Sequence, residues 1–294
     1  MKNRISLETQ QVLSFYTLAF AFSWLVWSPL IFIPAMQDFA FLLFLGAYGP
    51  LAAGVLTTRM FNGRAGLRTW LKTVFNWRIG LRWYLAAIFF IPILIACLHL
   101  ALYLALNGSV ELSTDPPWYW AVSVFPINVV LTIPLSSAFE EAGWQGFALP
   151  KLASKFHPAI ANLVHGLLWA AWHIPLYFAP AWGGKEPVYL LFAYTIPLSM
   201  ILFWLTRRSS GSSLPAVFLH QAGNHYETLF TTSVIFAGTL GANFSGLKTL
   251  IYWGIAIALL LTTRGRLGVR VSRTEINSTQ RVSTDGSAPT SAAF

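Results

Sequence analysis

"WYWAVSVFPINVVLTIPLSSAFEEAGWQGFALPKL", residues 118–152, runs 22 residues without a charged side chain and then sets two glutamates side by side. An uncharged apolar run of about 20 residues is the length of a helix that crosses hydrocarbon. Carboxylates against such a run are costly and mark function. The stretch therefore reads as a membrane span with chemistry at its end.

The rest of the chain agrees. Hydrophobic residues make up 56% of the 294 and charged residues 10%, against roughly 25% charged in a soluble domain. Eight apolar segments are long enough to span, at about 12–34, 39–58, 83–106, 118–139, 159–179, 188–206, 213–234 and 247–263. Prolines within them, such as Pro29, Pro126 and Pro197, are tolerated because neighbouring helices satisfy the freed carbonyls. The first segment is too long for a signal peptide and lacks a small-residue cleavage site, so it counts as a span. The expected fold class is all-α: a polytopic membrane helix bundle of about eight transmembrane helices plus one cytoplasmic interfacial helix. That last helix is "GLRTWLKTVFNW" (66–77), with Leu67, Trp70, Leu71, Val74 and Phe75 on one stripe and Arg68 and Lys72 off it. Residues 1–263 form one membrane domain. Residues 264–294 turn polar and basic and are expected to be a mostly disordered cytoplasmic tail. The single cysteine, Cys97, is expected as a buried small hydrophobe.

A net charge of +9 would suggest nucleic acid in a soluble protein. Here 17 of the 19 lysines and arginines fall in alternate loops and the two ends, and only Lys185 and Lys248 fall in the others. Positive loops stay cytoplasmic, so the charge describes topology, with both termini cytoplasmic in the cell membrane. The expected partners are the lipid bilayer and a peptide or protein substrate, with no nucleic acid.

Few polar groups lie in or against the spans. Glu140 and Glu141 point about 100° apart on a helix, so one faces the chemistry and the other is held by partners. Gln145, four residues on, is placed to support Glu141. Trp169 and His173 share a face of a later span. His220 and Asn224 are four apart and stacked on another, with Glu227 near the same stripe and His225 pointing elsewhere. His165, about two turns before His173, has a structural reading, as do His99 and His157. Intramembrane polar groups face the bundle interior, so Glu140, His173, His220 and Asn224 are expected to converge in one cavity. A carboxylate that takes a proton from water, with donors for an oxyanion, is the minimum kit for peptide hydrolysis. Glu140, His173 and His220 could instead hold zinc, although no His-Glu-x-x-His is present.

The ordered set Glu140-Glu141-x-x-x-Gln145, Trp169-x-x-x-His173 and His220-x-x-x-Asn224 resembles the CPBP intramembrane proteases, which include type II CAAX prenyl endopeptidases and bacterial Abi proteins. "NWRIGLRWYL" (76–85) also resembles the basic-aromatic entry to that family's core, and the resemblance covers about residues 66–235. It implies an eight-helix bundle with a cavity open to the cytoplasmic leaflet. Glu140 would activate water, Glu141 assist, His173 position water or substrate, and His220 and Asn224 stabilise the oxyanion. The family is often labelled metalloprotease, yet this chemistry needs no metal; no cofactor is the favoured reading and zinc the other. Gln145 stands where the family has arginine, and Trp169 where it has phenylalanine. The first change removes a cation that could pair with Glu141. The substrate allowed by the resemblance is a prenylated carboxyl-terminal tail, a bacteriocin-type peptide or a membrane-protein tail. Two readings compete with a protease: a catalytically silent binding or immunity-type membrane protein on the same scaffold, which Gln145 favours, and a small-solute transporter, which an inverted repeat would favour and none is present.

Overall fold

The computed structural model of the chain describes residues 6–269 apart from 108–109, 113, 115–116, 136, 183–186 and 237–243. Twelve α-helices follow in order among them: α1 Leu7–Phe32, α2 Phe41–Ala47, α3 Gly49–Val74, α4 Leu81–Leu85, α5 Ile91–Asn107, α6 Trp118–Leu131, α7 Ser137–Gly143, α8 Leu149–Ala153, α9 Pro158–His173, α10 Val188–Arg208, α11 Leu214–Ser233 and α12 Phe244–Thr262. One small departure from all-α is a pair of three-residue strands, Val110–Leu112 against Val234–Phe236, antiparallel.

Six of these helical stretches are long and apolar enough to cross a membrane: Leu7–Phe32, Phe41–Val74, Leu81–Leu106, Pro158–Phe178, Val188–Arg208 and Ser245–Thr262. The other two expected spans are helical but different in kind. The segment 118–139 breaks, because α6 ends at Leu131 and a short 3-10 turn, Ile133–Leu135, carries Pro134 before α7 begins. Proline has no N–H to continue the ladder and its ring clashes with the preceding turn. The segment 213–234 is one helix, α11, whose polar stripe of His220, Gln221, Asn224 and His225 dilutes its hydropathy.

The basic segments gather at one end of the bundle. Lys155 Nζ donates to Ser6 Oγ and Thr9 Oγ1, each at 2.7 Å, and Lys151 Nζ to Gln11 Oε1 at 2.6 Å. Gln11 in turn donates to Asn62 Oδ1 at 3.2 Å. The backbone N–H of Ser213 donates to the Val74 carbonyl, and Gly265 and Gly268 pack on His157 and on Arg207 and Arg208. Loops far apart in sequence thus share one face, as the charge alternation requires.

Segment 66–77 is helical as expected: after a break at Gly63 (φ +68°) the chain re-enters helix as far as Val74. Its stripe is partly spent on the protein, since Val74 is buried and Trp70 Nε1 donates to the Gly146 carbonyl at 2.9 Å, while Phe75 stays exposed. Two expectations are corrected here. The tail does not leave the bundle at residue 264. Leu267 is fully buried and its N–H donates to Thr263 Oγ1 at 3.0 Å; residues 270–294, where the disordered tail was expected, lie outside the described residues. Cys97 is exposed on α5 rather than buried, because that face of an outer helix has no protein neighbour.

Helix α7 is seated by close backbone approach. A Cβ on Gly143 would stand 2.3 Å from the Pro50 carbonyl oxygen on α3. Small residues of this kind let intramembrane helices approach to backbone contact. After Gly143 the helix widens into a π-turn, Trp144–Ala148, before α8, a distortion that recurs at functional sites.

Candidate active site

Glu140 and Glu141 lie on α7, both buried. The helix does not end near them. It continues through the π-turn and α8 to Ala153, about 20 Å further at 1.5 Å per residue. The glutamates therefore sit deep in the bundle and not at the basic edge of their span, because Gly143, Trp144, Gln145, Ala148 and Leu149 all find protein neighbours and are buried.

The two carboxylates face different partners, as their angular offset requires. Glu140 Oε2 accepts from Trp169 Nε1 of α9 at 3.2 Å. Glu141 Oε1 is bonded to His220 Nδ1 of α11 at 2.8 Å. Gln145 adjoins Glu141, but no hydrogen bond of good geometry joins them. His220, not residue 145, is thus the main partner of the second glutamate. Trp169 packs edge-on against His220, ring centroids 5.2 Å apart, so one indole braces both pairs.

His173 closes α9. Its Nδ1 bonds the Trp169 backbone carbonyl at 2.9 Å. A carbonyl only accepts, so Nδ1 carries the proton and, in the neutral ring, Nε2 is left as an acceptor. Asn224 is one turn after His220 on α11, and its Nδ2 donates to Gln221 Oε1 at 3.4 Å.

Glu140, His173 and Asn224 meet on the wall of one cavity of about 250 Å³. Its other walls are apolar and aromatic, among them Trp27, Phe44, Trp172, Trp182 and Tyr194. His220 is not among the lining residues; it is bonded to Glu141 and packs against Trp169. The structure thus brings together three of the four side chains expected to converge and puts the fourth in contact with the neighbouring glutamate. The side chain of Glu227 lies outside the described residues.

The zinc reading finds no support in side-chain placement. Among the described residues no three His, Cys, Asp or Glu side chains are grouped so as to hold a metal ion. Glu140 and His173 line the cavity and His220 does not, and one imidazole nitrogen of each histidine is already engaged.

The remaining histidines take structural places. His165 is fully buried and bonds Tyr16 Oη through Nδ1 at 2.8 Å. His99 is buried within electrostatic reach of Lys248, and His157 precedes α9 on the surface. Three contributors were not legible as such in the sequence. Trp144 reaches toward Glu140 from one turn away. The Trp27–Trp172 contact, centroids 4.7 Å apart, helps wall the cavity. Thr132, at the end of α6, bonds both Gln221 and His225, so His225 faces a neighbour inside the bundle. Aromatic and hydroxyl residues are so common in spans that only the fold singles these out.

Comparison with known proteins falls on this same region. Residues 122–226 match the family model described as Type II CAAX prenyl endopeptidase Rce1-like. The chain is also similar to a protein named CAAX prenyl protease 2 from Methanococcus maripaludis, 26% identical over 129 residues. That alignment takes in 39% of this chain and 46% of the relative, so it spans about half the relative's length. All five expected catalytic positions, from Glu140 to Asn224, fall inside the matched segment, and over that motif core the chain matches the Rce1-like family of type II CAAX prenyl endopeptidases.

Proposed function

We propose that the protein is an intramembrane endopeptidase that hydrolyses a peptide bond with a water activated by Glu140. The observation that carries this reading is the meeting of Glu140, His173 and Asn224, from three separate elements, on one cavity wall. In the proposed reaction a water in the cavity is held by the acceptor nitrogen of His173 and gives its proton to Glu140. The hydroxide oxygen attacks the scissile carbonyl carbon, and the carbonyl π pair moves onto oxygen. The resulting oxyanion is met by an N–H of Asn224 and by His220. Collapse breaks the C–N bond, and Glu140 returns its proton to the leaving amine. His220 bonds Glu141 through Nδ1, so it can donate to an oxyanion only through a protonated Nε2. With Glu141 ionised, Nδ1–H donates to it and the ring is an imidazolium; with the proton on Glu141, Nδ1 accepts it and the ring is neutral with Nε2–H. Donors fixed in place before the reaction are the effective form of such stabilisation.

The proposed substrate is a membrane-associated peptide or protein tail. The wall carries few polar groups besides Glu140, His173 and Asn224, which suits neutral, apolar side chains. A CAAX-type lipidated tail is the first candidate, on the name of the similar archaeal protein. The topology proposed with it places the basic end, and both termini, in the cytoplasm. The test is turnover of a peptide library by the purified protein in detergent. Cleavage by the wild type that disappears in Glu140→Ala is the expected result; equal cleavage by both would refute the assignment. A silent binding protein would instead retain peptides without cutting them.

A further inference from the structure

Asn224 can serve an oxyanion only if its carboxamide turns an N–H, not its oxygen, toward the cavity. An amide on a cavity wall can flip, and what fixes this one can be traced by proton accounting. Thr132, the residue that ends α6, has a single hydroxyl proton. It donates that proton to the Asn128 carbonyl at 2.6 Å, an acceptor that offers no alternative. The Thr132 oxygen is then left with acceptor lone pairs only. Two side chains of α11 approach it: Gln221 Nε2 and His225 Nε2 at 2.7 Å. Both must donate. With Gln221 Nε2 turned to Thr132, its Oε1 is turned the other way, and there it accepts from Asn224 Nδ2 at 3.4 Å. Asn224 must then present its nitrogen to Gln221. Only one of the two Nδ2 hydrogens is used, and the other is left for the cavity that Asn224 lines.

We infer that Thr132 and Gln221 are positioning residues: a chain running from the Asn128 carbonyl through Thr132 and Gln221 fixes the orientation of the Asn224 carboxamide so that it offers an N–H to the cavity. Gln221 is buried, with 3% of its surface exposed, so water competes little for it. The break between α6 and α7 is part of the device, since it brings the last turn of α6 against α11. The inference rests on the proposed role of Asn224 for its catalytic consequence, but the orientation itself can be measured without turnover.

The test compares Thr132→Val, which keeps shape and loses the acceptor, with Thr132→Ser, which keeps both, and adds Gln221→Leu, each alone and with Asn224→Ala. Loss of an oxyanion donor costs about 10²–10³ in rate. A donor that is present but free to flip should cost less, about tenfold in kcat with KM held. Thr132→Ser should recover most of the loss, and neither Thr132→Val nor Gln221→Leu should have a further effect once Asn224 is alanine. A merely structural role would give the same factor in both backgrounds, and that result would overturn the inference. In parallel, the Asn224 side-chain amide of protein labelled with ¹⁵N at asparagine should be protected from exchange in the wild type and in Thr132→Ser, and unprotected in Thr132→Val. Protection unchanged in Thr132→Val would overturn the inference even if no peptide substrate is cut, whereas normal amide behaviour without cleavage would count against the protease reading alone.

Discussion

Gly143→Ala adds one methyl group between the helix that carries Glu140 and Glu141 and the start of α3. The new Cβ would lie 2.3 Å from the Pro50 carbonyl oxygen and 2.4 Å from its carbon. Ordinary contact begins near 3.4 Å, so one of the two backbones has to retreat by about 1 Å. Neither can turn aside as a side chain would. Overpacking of this sort costs typically 1–3 kcal/mol. Its larger consequence is positional: Glu140 is three residues from the added methyl, and a misplacement of about 1 Å can cost around 10² in rate. The expected result is a folded protein whose kcat for peptide hydrolysis in detergent falls by about 10²-fold, beside a modest drop in unfolding temperature. Gly246→Ala, where nothing lies within 4 Å, is the matched control and should change neither. A Gly143→Ala protein with wild-type kcat would refute the claim that backbone contact between α3 and α7 sets the position of the base.

Other outcomes follow from the site. Glu140→Ala should leave near-background hydrolysis and Asn224→Ala should cost about 10²–10³, with turnover surviving dialysis against a zinc chelator; activity lost on chelation, restored by zinc and nearly indifferent to Asn224→Ala would replace the water-activation scheme with a metal one. Glu141→Ala leaves His220 Nδ1 without its partner in a buried place, so it should destabilise the protein by about 1–3 kcal/mol, read as thermal unfolding in detergent; an unchanged unfolding temperature would show that the pair is dispensable. In a Cys97→Ser background, a membrane-impermeant thiol reagent applied outside cells should label Val188→Cys and not Arg207→Cys, and the reverse pattern would invert the proposed topology.

Much of this was legible in the sequence, for identifiable reasons. Apolar length locates helices because hydrocarbon leaves the backbone no other way to satisfy itself, and alternation of Lys and Arg pairs the loops that the structure gathers at one end. The polar residues within spans stood out because their cost there is high. What was not legible depends on which neighbour a face meets. The stripe Leu67–Trp70–Leu71–Val74 does not say which of its residues meets the protein; only the fold places Trp70 against the Gly146 carbonyl of the π-turn. That helix runs on past the glutamates was legible; what no pattern showed is that Gly143 and Gly146 are points of close packing, against Pro50 and Val74. Thr132 could not be singled out among the hydroxyl residues of the chain, since its importance comes from a break in one helix that aims it at another.

The departure at Gln145 is where sequence and structure together say most. A second glutamate with no arginine one turn away has to find its compensation elsewhere, or remain an uncompensated buried charge, which is strongly unfavourable. Here the compensation comes from His220, at 2.8 Å, while the Gln145 side chain is fully buried with neither polar atom in a well-formed hydrogen bond. A guanidinium at 145 would carry five donors into the same enclosed layer and compete with His220 for Glu141. With glutamine there, the well-formed hydrogen bond that Glu141 makes is the one to His220. In this chain Glu141 is held by the imidazole of the next helix, at 2.8 Å, while Glu140 is held by the Trp169 indole, so the two neighbouring carboxylates have separate partners without a cation at 145.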